Sequence, residues 1–286
     1  EIPPRFAGLP PVNPDARAES GLKTWERAQG LAEDIRWYGQ WMRDRAFERI
    51  GHLYPKVKLP PEQGGGEATV IAWIWARTVE SPDPSWSGHV PLVRSWVLRK
   101  AKKGKPVVWV EPVVDRHTQT ITYRIREGGT PIQGTVNRKG ATCLATGSPI
   151  GFKYIREESR QDRSGVVPIA VVAEGPAGRI YLPPQPVPEI PEPSWLPTQR
   201  LDGKAKVNVG LYGLTKWGDL FTDRQLVALN TFSDLLGEVR PLIEEHAVEA
   251  GFAADGVRLR DGGSGAAAYA DAVVTYLAFV VDKCAD

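Results

Sequence analysis

The chain has 286 residues, about twice the usual single-domain size, so two compact bodies or one body with a large insertion are expected. Its 42% hydrophobic and 24% charged content excludes wholesale disorder. A formal net charge of +2 excludes a global field for nucleic acid or membrane, so any basic surface has to be local.

Residues 1–20 are Pro-rich and irregular. A helix pattern runs over 22–50, with Trp25, Ala28, Ala32, Ile35, Met42, Ala46 and Ile50 at three- and four-residue spacing. Tyr38 or Gly39 fills the gap in that stripe, and another face carries Arg36, Trp37, Trp41, Arg43 and Arg45. Pro55 and the Pro60-Pro61 pair stop it. Residues 69–79 form a β-branched and aromatic run suited to a strand buried on both faces. Strands are expected over 90–98, 107–114, 120–126, 167–173 and 179–182, the last two joined by the turn 174–178. Seven prolines between 183 and 197 favour polyproline II and mark a linker or a surface strap. The second helical region covers 220–246. Thr222 and Gln225 fit a capping box, Leu226, Leu229, Phe232, Leu236, Val239 and Ile243 form its stripe, and Pro241 should end or kink it. A last helix follows Gly262-Gly263-Ser264-Gly265 and is apolar nearly all round from 272 to 281, so deep burial is expected. The pattern implies an α+β fold, with long helices packed with a β-hairpin-rich, zinc-ribbon-like insertion that has lost most metal ligands. Composition divides it into a helical segment 1–66, a β-rich region 67–182, a Pro-rich linker 183–200 and a helical segment 201–286. No apolar run reaches the ~18 residues of a membrane span. No signal peptide opens the chain either, and a cytoplasmic protein without a membrane partner is expected.

Few residues suggest chemistry. The four histidines lack partners at metal-ligand spacing, no nucleophile elbow is present, and no carboxylate pair stands out among 34 acids, so no catalytic residue is assigned. The Gly-rich segment 262–265 precedes a helix but lacks a following Lys-Ser/Thr, and reads as a turn rather than a phosphate loop. The basic run is stronger. Arg99, Lys100, Lys102, Lys103 and Lys105 crowd one stretch between two expected strands, without an acid among them. Such a hairpin tip lies against phosphates and gains affinity by counterion release, or is a solvated loop. Arg94, Arg138, Lys139, Lys153 and Arg156 extend the candidate surface. Trp73, Trp75, Trp86 and Trp96 lie near it in sequence and serve either as stacking platforms or as core.

Residues 81–86 and 143–147 have the layout of two zinc-ribbon knuckles. Cys143 is the one thiol there, with Ser81, Trp86 and Thr146 where further thiolates would be needed. Neutral hydroxyls and an indole do not replace thiolates, so no zinc is expected. Residue 1 is Glu, and 266–285 carry a helical pattern without a stop signal, which points to a fragment of a larger protein.

Several long motifs carry a resemblance. They are Asn13-Pro14 with Glu19-Ser20-Gly21-Leu22-Lys23-Thr24-Trp25-Glu26-Arg27-Ala28, Gly51-His52-Leu53-Tyr54-Pro55 and Gly65-Gly66-Glu67-Ala68-Thr69-Val70-Ile71-Ala72-Trp73. Gly134-Thr135-Val136-Asn137-Arg138-Lys139-Gly140-Ala141, Gly218-Asp219-Leu220-Phe221-Thr222-Asp223-Arg224-Gln225-Leu226 and Ala268-Tyr269-Ala270-Asp271-Ala272 belong with them. Together they resemble a family of large adenine-specific DNA methylases that contain a zinc-ribbon insertion. The resemblance implies methyl transfer from S-adenosylmethionine to an adenine amino group by the parent enzyme. It makes this chain the segment between the cofactor loop and the Asp-Pro-Pro-Tyr-type motif, neither of which occurs here. No cofactor is expected in the segment itself. Its expected partners are DNA and the catalytic halves of the parent chain, against which the Arg/Trp helix and the second helical region would pack. The rival reading is a non-catalytic interaction module, for instance in a phage-defence complex; an independent hydrolase has no nucleophile–base spacing behind it.

Overall fold

The computed structural model describes residues 2–19 and 24–285. Residues 20–23, which hold the expected start of the first long helix and part of the 19–28 motif, lie outside the described residues, as do Glu1 and residue 286. In chain order come α1 (Ile2–Arg5), α2 (Pro14–Glu19) and α3 (Gln29–Ile50), then β1 (Val57–Lys58), β2 (Glu67–Ala68), β3 (Val70–Glu80) and β4 (His89–Leu92). Next are β5 (Val97–Arg99), β6 (Val108–Asp115), β7 (Thr120–Glu127), β8 (Val136–Asn137), β9 (Gly140–Thr142) and β10 (Pro149–Gly151). The chain continues through α4 (Phe152–Arg160), β11 (Gly165–Gly175), β12 (Gly178–Leu182), α5 (Gly203–Val209), α6 (Asp223–Glu249) and α7 (Ala266–Lys283). The fold is α+β. It divides into a helical unit, 1–53 with 190–196 and 221–286, and a β-rich unit, 54–189 with 197–220.

In the helical unit, α3, α6 and α7 close over Tyr38, Met42, Leu235, Val239, Ile243, Tyr269 and Val273. Burial of aliphatic side chains of this size contributes about 1.5–3 kcal/mol each. The buried face of α3 runs through Leu31, Asp34, Tyr38, Met42 and Ala46, while Ala32 and Ile35 of the expected stripe are half-buried. The stripe is offset because a carboxylate sits on it. Asp34 is fully buried and accepts from Val12 N, Asn13 N, Asn13 Nδ2 and the Tyr269 hydroxyl, at 2.8, 3.0, 2.8 and 2.6 Å. The capping box on α6 is formed: Gln225 N donates to Thr222 Oγ1, and the Gln225 side chain accepts from Thr222 N. Pro241 neither ends α6 nor interrupts it, and the helix continues to Glu249. The ring lies on the exposed side, and the carbonyl it leaves unpaired belongs to the exposed Gly237, where water can satisfy it. For α7 the expectation reverses. Ala266–Ala270, Ala272, Val273 and Leu277 are buried, but Phe279 is 63% and Val280 55% exposed. The apolar C-terminal half of α7 extends beyond the part that α3 and α6 cover.

In the β-rich unit, an antiparallel sheet of order β12-β11-β3-β4 faces a second of order β5-β6-β7. Their shared core holds Ala76, Trp96, Trp109, Val110, Tyr123, Ile169 and Ala170. β3 is not buried on both faces: Ile71 and Trp75 point outward, as one-sided antiparallel sheets allow. The run 90–98 splits into β4 and β5. The Val93 amide bonds to Thr135 Oγ1 and Ser95 bridges Gln133, so the chain changes sheet between them. Gly134 permits this crossing, since a Cβ there would lie 2.1 Å from the Arg94 carbonyl oxygen. A small sheet β10-β9-β8 packs with both knuckles over Val79, Trp86, Val90, Cys143, Ile150 and Ile155. The β1–β2 hairpin covers Val171, Ala173 and Leu182, which places 54–66 in this unit rather than with the preceding helix. Contacts divide the chain at Leu53/Tyr54 and Leu220/Phe221, where composition places boundaries at 66/67 and 200/201.

Candidate nucleic-acid interface

The basic run forms the tip of the β5–β6 hairpin. Lys102 and Lys105 exchange backbone hydrogen bonds of 3.0 and 2.8 Å around a two-residue turn through Lys103 and Gly104. Gly104 takes φ +77°, a conformation that favours glycine. Arg99 braces the base of the tip. Its guanidinium donates to the Pro106 carbonyl and to Glu127, at 3.2 and 3.3 Å, and lies 5.8 Å from the Tyr181 ring centre. Lys100, Lys102, Lys103 and Lys105 are exposed, and among the described residues no ion pair reaches them. Four ammonium groups on one short turn favour a polyanion over an isolated carboxylate.

The other expected cations are placed apart. Arg138 and Lys139 form the exposed β8–β9 turn, where Lys139 N donates to Asn137 Oδ1. Val136 N bonds to Val93 O while Gln133 bridges Ser95. Advancing from Gln133 towards Arg138 therefore runs opposite to advancing from Ser95 towards Arg99. The two clusters leave from opposite ends of that ladder, with exposed Arg94 in the crossing between them. Lys153 pairs with Glu157 along α4, and Arg156 lies half-buried on the same helix. Of the four tryptophans near the run, Trp86 and Trp96 are core residues. Trp73 is half-buried beside Tyr54, and Trp75 is 36% exposed on the outer face of β3.

The two knuckles meet. Ser81 Oγ donates to Cys143 Sγ at 3.4 Å, although the two residues are 62 positions apart. Cys143 N bonds to Ser148 O, and Ser148 Oγ donates to Asp83 Oδ2. Burial raises the Cys143 thiol pKa, but hydrogen bonds from Ser81, from the Thr146 hydroxyl and from the backbone of Thr146 and Ala145 outweigh it and leave it below its ordinary value. Asp83 falls to about 2, first through Ser148 and then through Ser85. One thiol and two neutral hydroxyls do not match the thiolate-rich coordination of structural zinc. The Trp86 side chain packs in this core instead.

The Gly-rich segment is a packing device. A Cβ on Gly263 would lie 2.2 Å from Val257 O, and one on Gly265 would lie 2.5 Å from Ala253 O. Ala266 N is taken by Ala253 O, and Arg5 Nη1 donates to Gly263 O. Close backbone contact on both sides fills the space that a phosphate would use. Sequence reasoning also missed Asp34. Its one signal was a carboxylate at the buried spacing of an amphipathic helix.

No family model matches the chain, and neither a curated protein nor a solved structure is significantly similar to it.

Proposed function

We propose that this chain is the DNA-engaging segment of an S-adenosylmethionine-dependent adenine-specific DNA methyltransferase. The observation that carries DNA engagement is the β5–β6 tip, with four exposed lysines that no ion pair reaches among the described residues, beyond a braced Arg99. A cationic turn of this kind positions a nucleic-acid backbone and reads no bases itself. Arg94, Arg138 and Lys139 add cations outside the tip. The methyl-transfer half of the reading rests on the resemblance of the motifs in 13–55, 65–73, 134–141, 218–226 and 268–272. Transfer and cofactor binding are assigned to the catalytic halves of the parent enzyme, and no residue here is given a catalytic role. In such an enzyme an Asp or Asn with the adjacent proline carbonyl accepts from the target amine, and an aromatic ring stacks on the everted base. Fluorescence anisotropy with a labelled duplex tests DNA engagement. Affinity is expected to fall steeply and linearly on log–log axes between about 50 and 200 mM salt. A flat dependence would overturn the reading.

One observation favours the rival. Ile35, Tyr276, Phe279 and Val280 line an apolar cleft of about 510 Å³ on the helical unit, a surface suited to a protein contact. In an interaction module, Phe279→Ala would weaken a salt-insensitive protein association and leave DNA affinity unchanged.

A further inference from the structure

The β5–β6 tip supplies charge without rings, since Trp86 and Trp96, near it in sequence, are core residues. Exposed rings and exposed cations come together elsewhere on the β-rich unit. Residues 197–201 and 215–218 run antiparallel. Trp217 N bonds to Gln199 O, Leu201 N to Thr215 O and Gly218 N to Pro197 O, at 3.0, 2.8 and 2.9 Å. Arg200 and Lys216 pair across this short ladder. Both are exposed, as are Lys204 and Lys206 of α5, and among the described residues no ion pair reaches any of the four. Two acids, Asp202 and Asp219, share the segment 197–220 with these cations. Asp219 is held within its own turn, where Oδ2 accepts from Thr215 N and Lys216 N at 2.7 and 2.9 Å.

The turn Trp217–Leu220 sits on the outer face of β3. Arg77 Nη2 donates to Asp219 O at 2.5 Å. Trp75 stands two residues before Arg77 and so shares its face of the strand, and Trp217 stands two residues before Asp219. One hydrogen bond therefore joins the surroundings of two indoles, Trp75 and the 39% exposed Trp217. On β11, exposed Val166 pairs with Arg77 and Pro168 with Trp75, so the floor beside the rings is apolar.

This combination favours one kind of polyanion. A duplex stacks its bases internally and leaves no base face for an indole, so it needs charge alone, as the tip provides. An acidic peptide meets the cations but brings no regular series of flat rings. An unpaired strand brings phosphates at regular intervals and bases whose faces stack on an aromatic side chain whatever their identity. We infer that the outer face of β3, together with segment 197–220, binds single-stranded nucleic acid without base preference. Trp75 and Trp217 stack on bases, and Arg200, Lys216, Lys204 and Lys206 follow the phosphates. This goes beyond the duplex contact assigned to the tip and does not depend on it.

The test uses the full chain and two labelled strands of equal length and charge, an oligothymidylate and an abasic sugar-phosphate oligomer. The oligothymidylate is expected to quench tryptophan emission and to bind more tightly than the abasic strand. Trp217→Ala, at an exposed turn position, should weaken oligothymidylate binding about tenfold, the loss of one stacked base, and leave the abasic strand unaffected. Arg200→Glu/Lys216→Glu should weaken both strands, with a log–log salt slope shallower by about 1.4, two phosphate contacts at about 0.7 each. Equal affinity for the two strands, or oligothymidylate binding unmoved by Trp217→Ala, overturns the stacking surface. Displacement by polyglutamate as readily as by unlabelled oligothymidylate would also overturn it, and would make this a site for acidic peptide. Lys102→Glu/Lys103→Glu should lower duplex affinity and leave the preference for bases over the abasic strand intact, so failure of the tip and failure of this surface are read separately.

Discussion

Asp34 and Asp83 are carboxylates with opposite environments, and their titrations should carry opposite signs. Asp34 is raised, chiefly by burial, against hydrogen bonds from Tyr269, Val12 and Asn13 that lower it. A raised folded value means the stability it contributes is full below the ordinary carboxylate range and is lost as pH rises through that folded value. Asp83 is depressed to about 2. Its contribution is present above the ordinary carboxylate value and is lost as pH falls from there towards 2. Asp83→Asn should therefore flatten the acid limb of thermal unfolding followed by tryptophan emission; superimposable wild-type and variant profiles would refute the assignment. Asp34→Asn should destabilise by roughly 2–4 kcal/mol in urea titrations, because each carboxylate oxygen accepts from two donors and the amide turns its N–H₂ towards one of those two pairs. At this scale the sequence was least informative. The charge run at 99–105 is local and could be read directly, whereas the Arg77–Asp219 and Ser81–Cys143 contacts depend on strand register and on loops from distant segments.

Elements were more legible. β6, β7, β11 and β12 lie within two residues of the expected runs, because alternation and flanking turn residues act locally. The capping box on α6 was readable for the same reason. Burial was not. Helix periodicity gives a face but not what covers it, so α7 was expected to be buried where it is exposed, and Pro241 to break a helix whose exposed side tolerates it. The segment entering α7 gives a paired prediction. Gly262→Ala meets open space, with a left-handed φ of +89° as its penalty, and should cost about 1 kcal/mol. Gly263→Ala would drive a methyl into the Val257 carbonyl and should cost about 3 kcal/mol or more. Denaturant midpoints for the two variants check the order, and equal losses would contradict the backbone collision.

At the scale of the whole molecule, each unit has a core of its own, one built on α3, α6 and α7 and the other on facing antiparallel sheets. Among the described residues no helix is long and apolar enough to cross a membrane. Composition located the Pro-rich segment but not the units' edges, since the pairing of β1 with β2 draws 54–66 towards the sheets. The proposed function rests on polyanion binding by one turn. The direct measurement is duplex affinity against salt for the wild type and for Lys102→Glu/Lys103→Glu. The variant is predicted to bind more weakly, with a log–log slope shallower by about 2, the loss of two phosphate contacts. Unchanged affinity and slope in the variant would contradict the assignment of the β5–β6 tip to nucleic acid.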